Sequence, residues 1–217
     1  VKAENGSVKI HADGVSAHAA SPMDGNNALT ALLVLLSSLP LAESKTKTLL
    51  GNLVKLFPHG DYCGGGLGVN LEDEISGKTL TLDLFKLEDG KMSGTFDCRA
   101  CNSATEENTK NVVEAKLSAA GFVTDGSPLN PPHYVPKDSE LVKTLLETYT
   151  DVTGEVREPL AIGGGTYVHH IENGVACGCA DPSVDNHMHG PDEFVIIDQL
   201  VMSSEIFALA IVKLCGK

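Results

Sequence analysis

Residues 14–28 read Gly-Val-Ser-Ala-His-Ala-Ala-Ser-Pro-Met-Asp-Gly-Asn-Asn-Ala. A strand-like run, Ser7 to Asp13, leads in: Val8, Ile10 and Ala12 share one face and Lys9, His11 and Asp13 the other, the period-two pattern of a half-buried strand. Asn27 to Leu39 leads out as a helix, with Asn26 or Asn27 as its cap and Pro40 beyond its end. That helix is apolar nearly all round, which predicts burial. Between the two stands one imidazole, His18, on a loop of small residues that let a partner approach the backbone closely.

Working outward, Lys45 to Phe57 has Leu49, Leu50, Leu53 and Leu56 at helical spacing, and Gly64-Gly65-Gly66 breaks it off into a loop. Thr79 to Leu87 alternates, with Leu80, Leu82 and Leu84 on one side. Asp89-Gly90 is a hairpin turn, and the returning strand, Lys91 to Ala100, puts Phe96 and Cys98 on one face and Asp97 and Arg99 on the other. Ser103-Ala-Thr-Glu106 predicts a capping box for a helix that stops at Gly121. Phe122 to Thr124 reads as a short strand. The order is β-α-β-β-α-β, a ferredoxin-like pattern over residues 1–134, with an insertion at about 41–77.

Pro128-Leu-Asn-Pro-Pro-His-Tyr-Val-Pro136 is the domain boundary. Residues 135–217 alternate helix and strand. A helix capped by Asp138 or Ser139 runs to about Val152, strands are expected at 156–162 and 175–180, and a last helix follows Asp198. Two strands hardly close a core, so this part reads as the end of a larger α/β domain. The fold class is α/β (α+β): a ferredoxin-like domain followed by an incomplete α/β segment.

The formal charge of −13 argues against nucleic-acid binding and against an anionic membrane surface. The most apolar run, Leu29 to Leu36, is far short of the roughly 20 residues that span a bilayer. The first residues are polar and lack the apolar core of a signal peptide. The six cysteines read as reduced thiols in a chain rich enough in apolar residues to need no staples, which points to the cytoplasm. Cys98-x-x-Cys101 with Cys177-x-Cys179 leaves a Cys/His zinc domain open as an alternative.

Gly14, Ala17, His18, Pro22, Gly25, Asn27 and Ala28 fill a G-x-x-A-H-x-x-x-P-x-x-G-x-N-A pattern that resembles the lid-domain signature of M20-family metallopeptidases. A second stretch, His187-Met-His-Gly-Pro-Asp-Glu193, is similar to the turn that closes the family's metal site, and the resemblance makes His189 a metal ligand. Asp192 and Glu193 stand near enough in sequence to orient it. Ala161-Ile-Gly-Gly-Gly-Thr-Tyr167 resembles the glycine-rich substrate loop of the family's carnosine-hydrolysing and broad-specificity dipeptidases. Its glycines expose backbone N–H groups able to hold a carboxylate or carbonyl.

The resemblance implies hydrolysis of dipeptides by a metal-activated water. His18 would stabilise the oxyanion. Arg99, Gly164, Gly165, Thr166 and Asn27 would hold the substrate, and His189 would bind one of two zinc ions (manganese or cobalt being possible substitutes). The family's remaining ligands and its glutamate base belong to an N-terminal half that this chain does not match, so the chain alone is expected to be inactive and to need that half as its partner. His11-Ala-Asp13 is not the family's metal pair, because it lies on the lid strand. His169 stands where these dipeptidases often have arginine, and Cys177 and Cys179 also depart from the usual strand, which leaves the substrate open. A non-catalytic lid used for homodimerisation or peptide binding, and a related deacylase or aminopeptidase, are the alternatives.

Overall fold

A computed structural model describes residues 2–4, 6–69, 72–75, 77–178, 181, 183–188 and 190–216. The chain is a mixture of helix and strand in two compact units. Unit 1 comprises Val1–Pro132 with Ile162–Gly164; unit 2 comprises His133–Ala161 with Gly165–Lys217.

Unit 1 opens with β1 (Lys2–Glu4) and β2 (Ser7–Lys9), paired antiparallel. α1 (Ala28–Ser38) is capped by Asn27, whose side chain accepts from the Thr30 amide. α2 (Lys45–Leu56) is capped in the same way by Ser44. β3 (Thr79–Glu88) and β4 (Lys91–Arg99) form an antiparallel hairpin. Its turn has φ of 51° at Asp89 and 74° at Gly90, a left-handed pair that matches strand twist. α3 (Asn111–Ala119) follows one π-helical turn, Glu106–Lys110. The capping box lies two residues later than the Ser103 pattern predicts: Thr105 and Asn108 exchange side-chain and backbone bonds, while the Ser103 amide donates to Asp73.

The core of unit 1 is Leu33, Leu50, Leu53, Leu56, Phe57, Leu67, Val69, Leu80, Leu82, Val113 and Leu117. Six of these eleven lie within residues 41–77, so the segment expected to be an insertion is part of the core. Its glycine-rich loop folds back on β3: the Leu80 amide donates to Tyr62 O at 2.8 Å, and Cys63 and Leu80 form a parallel bridge. Asp61 pins this loop by accepting from the Gly66 amide at 2.8 Å and the Cys63 amide at 3.1 Å. Burial alone would raise the Asp61 carboxyl, but the backbone amides of Gly66, Gly65, Cys63 and Gly64 together hold it below the ordinary aspartate value.

One phase of the β3 alternation differs from expectation. The register shifts between Leu82 and Leu84, leaving Asp83 as an extra residue. A bulge of one residue reverses the inward and outward faces beyond it. Leu84 is therefore 66% exposed, and Phe85 packs against the core in its place. Strand 7–13 is observed only over Ser7–Lys9, with β1 as its partner. Residues 122–124 are not in a strand. The sheets among the described residues are the two separate pairs β1–β2 and β3–β4.

Unit 2 is built on α4 (Glu140–Thr153) and α5 (Ile197–Cys215), which pack together with Val142, Thr148, Ile206 and Ala210 buried. Ser139 caps α4 through the Val142 amide, and Gly154 ends it at φ 75°. α5 starts without a side-chain cap: Ile196, not Asp198, holds the cap position. The strands expected at 156–162 and 175–180 do not form among the described residues. A strand needs a pairing neighbour, and among the described residues no strand pairs with these stretches. Val156 and Leu160 are about four-fifths exposed. No helix among the described residues is long and apolar enough to cross a membrane.

Candidate functional site

The loop that presents His18 is closed at its base. Val15 and Asn26 exchange backbone bonds at 3.0 and 2.9 Å. The glycines beside that bridge are there for space. A Cβ on Gly14 would sit 2.5 Å from Asn26 O and 2.9 Å from the Ala28 methyl; one on Gly25 would sit 2.6 Å from Val15 O and 2.8 Å from the Ala17 methyl. Gly14 thus faces Ala28, and Gly25 faces Ala17. The small residues of the motif press the two legs of the loop against each other.

Pro22 is buried at the start of a short 3-10 turn, Pro22–Asp24, suited by its fixed φ. Asn27 holds the exit. Its Oδ1 accepts from Thr30 N at 3.1 Å and its Nδ2 donates to Leu82 O at 2.9 Å, so its amide caps α1 and ties it to β3. Across the clasp the Ser21 amide donates to His18 O at 2.8 Å, and the Ala20 amide donates to His18 Nδ1 at 3.1 Å.

The hairpin brings Arg99 to this loop. Thr79 is the direct cross-strand partner of Arg99, and the Thr79 hydroxyl donates to Ala19 O at 2.7 Å. Arg99 is oriented by Asp97: Nε donates to Oδ1 at 2.6 Å and Nη2 to Oδ2 at 3.0 Å. That fork uses two of the five guanidinium N–H bonds, and the side chain stays about one-third exposed. Gly163 then comes in from far along the chain. A Cβ on it would meet the Ala20 methyl at 3.0 Å and Arg99 Cβ at 3.9 Å. His18's loop, Arg99 and the Gly163–Gly164 backbone therefore converge within unit 1, with Asn27 at the base.

Lys78, next to Thr79, is buried, and its Nζ has no hydrogen-bond partner among the described residues. Burial pulls its amine below the ordinary lysine value, and the thiols of Cys98, Cys101 and Cys63 oppose that pull. Burial likewise pushes the Cys98 thiol up, with Lys78 opposing.

The remaining expected site residues are Gly165, Thr166 and His189. Gly165 and Thr166 belong to unit 2, where Thr166 precedes the 3-10 turn Tyr167–His170 without a side-chain cap bond. His189 lies outside the described residues, as does Cys179. Among the described residues no group of three or more His, Cys, Asp or Glu is arranged to hold a metal ion.

The chain is similar in sequence to proteins named as dipeptidases. It is 33% identical over 203 residues to the Beta-Ala-Xaa dipeptidase of Lactobacillus delbrueckii subsp. lactis, covering 93% of this chain and 43% of that protein. It is 32% identical over 212 residues to "Putative dipeptidase YtjP" of Bacillus subtilis (strain 168), covering 97% and 45%. A Staphylococcus epidermidis protein with a similar name is 29% identical over 214 residues, covering 98% and 45%. No family model matches the chain. The chain thus spans less than half the length of these curated relatives.

Two residues of the site were not placed there by the sequence. Thr79 lies sixty positions from Ala19, and an isolated threonine in a strand has no local pattern to mark it. Gly163 was visible as part of a glycine run, but its contact with Ala20 depends on the fold.

Proposed function

We propose that this chain is the lid and C-terminal portion of a longer M20-type hydrolase that cleaves dipeptides. The ferredoxin-like lid topology and the boundary near residue 134 belong to this proposal. What carries it is the meeting, inside unit 1, of an imidazole loop, a partly exposed guanidinium and a glycine backbone around Thr79. Such a set suits a small peptide with a free carboxylate. Arg99, held flat by Asp97, keeps N–H donors for a bidentate grip on that carboxylate. Gly163 packs beside Arg99, and Gly164 would add its backbone N–H as a donor. His18 would donate to the oxyanion of the tetrahedral intermediate, a contribution typically worth about 3 kcal/mol. Asn27 serves through the fold, by fixing where the loop leaves for α1. The names of the similar proteins favour peptide-bond chemistry.

A divalent metal such as zinc would supply an activated water. The described residues do not by themselves provide a metal site, and a single histidine, His189, is too few ligands. In the longer protein His189 would be one ligand and the preceding half would provide the others. The test is to assay the longer protein on unmodified dipeptides beside its His18→Ala variant. We expect hydrolysis in the parent and kcat lower by about 10²–10³ in the variant, with the metal content unchanged. A variant as active as its parent would overturn the role of His18. Metal analysis of His189→Ala should show reduced occupancy.

A further inference from the structure

We propose that Thr79 is a positioning residue that couples the His18 loop to the Arg99 strand, and that the loop it anchors sets His18 as the Nε2–H tautomer. The inference rests on the hydrolase assignment above and goes beyond it in naming the residue that aligns the site and the atom that carries the proton.

Thr79 is a buried polar residue at the start of β3. Its hydroxyl donates to Ala19 O at 2.7 Å, across sixty residues of sequence. Removing this part-buried hydroxyl bond takes away the fixed donor that holds the Ala19 carbonyl in place. The anchored carbonyl belongs to the residue immediately after His18, and the next amide, Ala20 N–H, donates to His18 Nδ1 at 3.1 Å. A ring nitrogen that accepts from an amide carries no proton, so the neutral imidazole must hold its proton on Nε2. That form presents a donor, which is what a developing oxyanion requires. The same Thr79 is paired directly with Arg99. One hydroxyl therefore sets the spacing between the group that would bind the substrate carboxylate and the group that would meet the reacting carbonyl. Gly163 lies against Ala20 and Arg99 together, so the contact extends to the glycine run.

The experiment uses the longer protein with Thr79→Val, which keeps the shape without the hydroxyl, and Thr79→Ser, which keeps the hydroxyl. Long-range ¹H–¹⁵N spectra report the His18 tautomer, with the signal assigned by its loss in His18→Gln. We expect the Nε2–H form in the parent and in Thr79→Ser, and a mixture of tautomers in Thr79→Val. We expect kcat on dipeptides about tenfold lower in Thr79→Val, KM within about twofold of the parent, and recovery in Thr79→Ser. An Nδ1–H tautomer in the parent overturns the proposal, whatever the stability of the variants. So does a Thr79→Val protein with parental tautomer and kcat, or one that Thr79→Ser does not rescue. If the parent hydrolyses no dipeptide, the hydrolase assignment fails, while the tautomer spectra still decide the role of Thr79.

Discussion

At the scale of single residues, the proposed site separates groups that would do chemistry from groups that hold them. Arg99 is aimed by Asp97 through two charge-assisted bonds. A lysine in its place would keep the charge and lose the planar fork. In the longer protein, Arg99→Lys is expected to raise KM for dipeptides by roughly tenfold or more, while a substrate with an amidated C-terminus should show little difference between parent and variant. Lys78 offers a test of stability. Its folded-state value lies below the ordinary 10.5, because burial disfavours the ammonium form. Between that lowered value and about 10.5 the unfolded chain binds more protons than the folded one, so stability should rise with pH through that window. Lys78→Met removes the unpartnered amine. It should stabilise the chain by roughly 1–3 kcal/mol at neutral pH and flatten that rise. Urea unfolding at pH 7 and at pH 9–10 measures both effects.

At the scale of elements, the glycines divide by what surrounds them. Gly25 is pressed against Val15 O and Ala17, so Gly25→Ala must open the clasp that presents His18. We expect a loss of about 1–3 kcal/mol, the usual cost of overpacking. Gly51 sits within α2 with open space where a Cβ would go. Gly51→Ala should stabilise by about 0.5–1 kcal/mol, since helical glycine costs about that much. Denaturant midpoints for the two variants should therefore move in opposite directions. Most elements were legible locally. The Asn27, Ser139 and Gly154 caps and the Asp89-Gly90 turn depend on residues within a few positions of each other. The α3 capping box was displaced because two overlapping patterns, Ser103 with Glu106 and Thr105 with Asn108, compete for one helix start, and Asp73 draws off the Ser103 amide. The bulge at Asp83 was not legible, since an alternating run looks the same until a partner strand skips a residue.

At the scale of the whole molecule, unit 2 leaves much apolar surface uncovered. Ile197, Val201, Ile211 and Val212 of α5 are each more than three-fifths exposed, and the strand-like stretch from Val156 to Leu160 pairs with no strand among the described residues. An open apolar cavity of about 470 Å³, lined by Leu145, Val168, Val175, Phe207 and Ile211 among others, lies in the same unit. Exposed apolar area on this scale marks an interaction surface. The similar dipeptidases are more than twice as long as the matched region. In a longer protein of that kind, the outward face of α5 should show slower amide exchange than in this chain alone, and residues 156–160 should gain the protection of a paired strand. Equal exchange in both would mean that the added half packs elsewhere.

By itself the sequence determined where the helices and the hairpin lie and how α1 and α4 are capped, because those depend on side chains within one or two turns of each other. It also marked His18, Arg99 and the glycine run as residues of interest, through spacings that survive in a linear string. Only the tertiary structure decided that residues 41–77 supply more than half of the core of unit 1, that Asp83 turns Leu84 outward, and that Asn27 ties α1 to β3. Thr79 stands between His18 and Arg99 for the same reason. These outcomes rest on bonds and packing between residues tens of positions apart, and a hydroxyl sixty residues from its acceptor leaves no periodic trace.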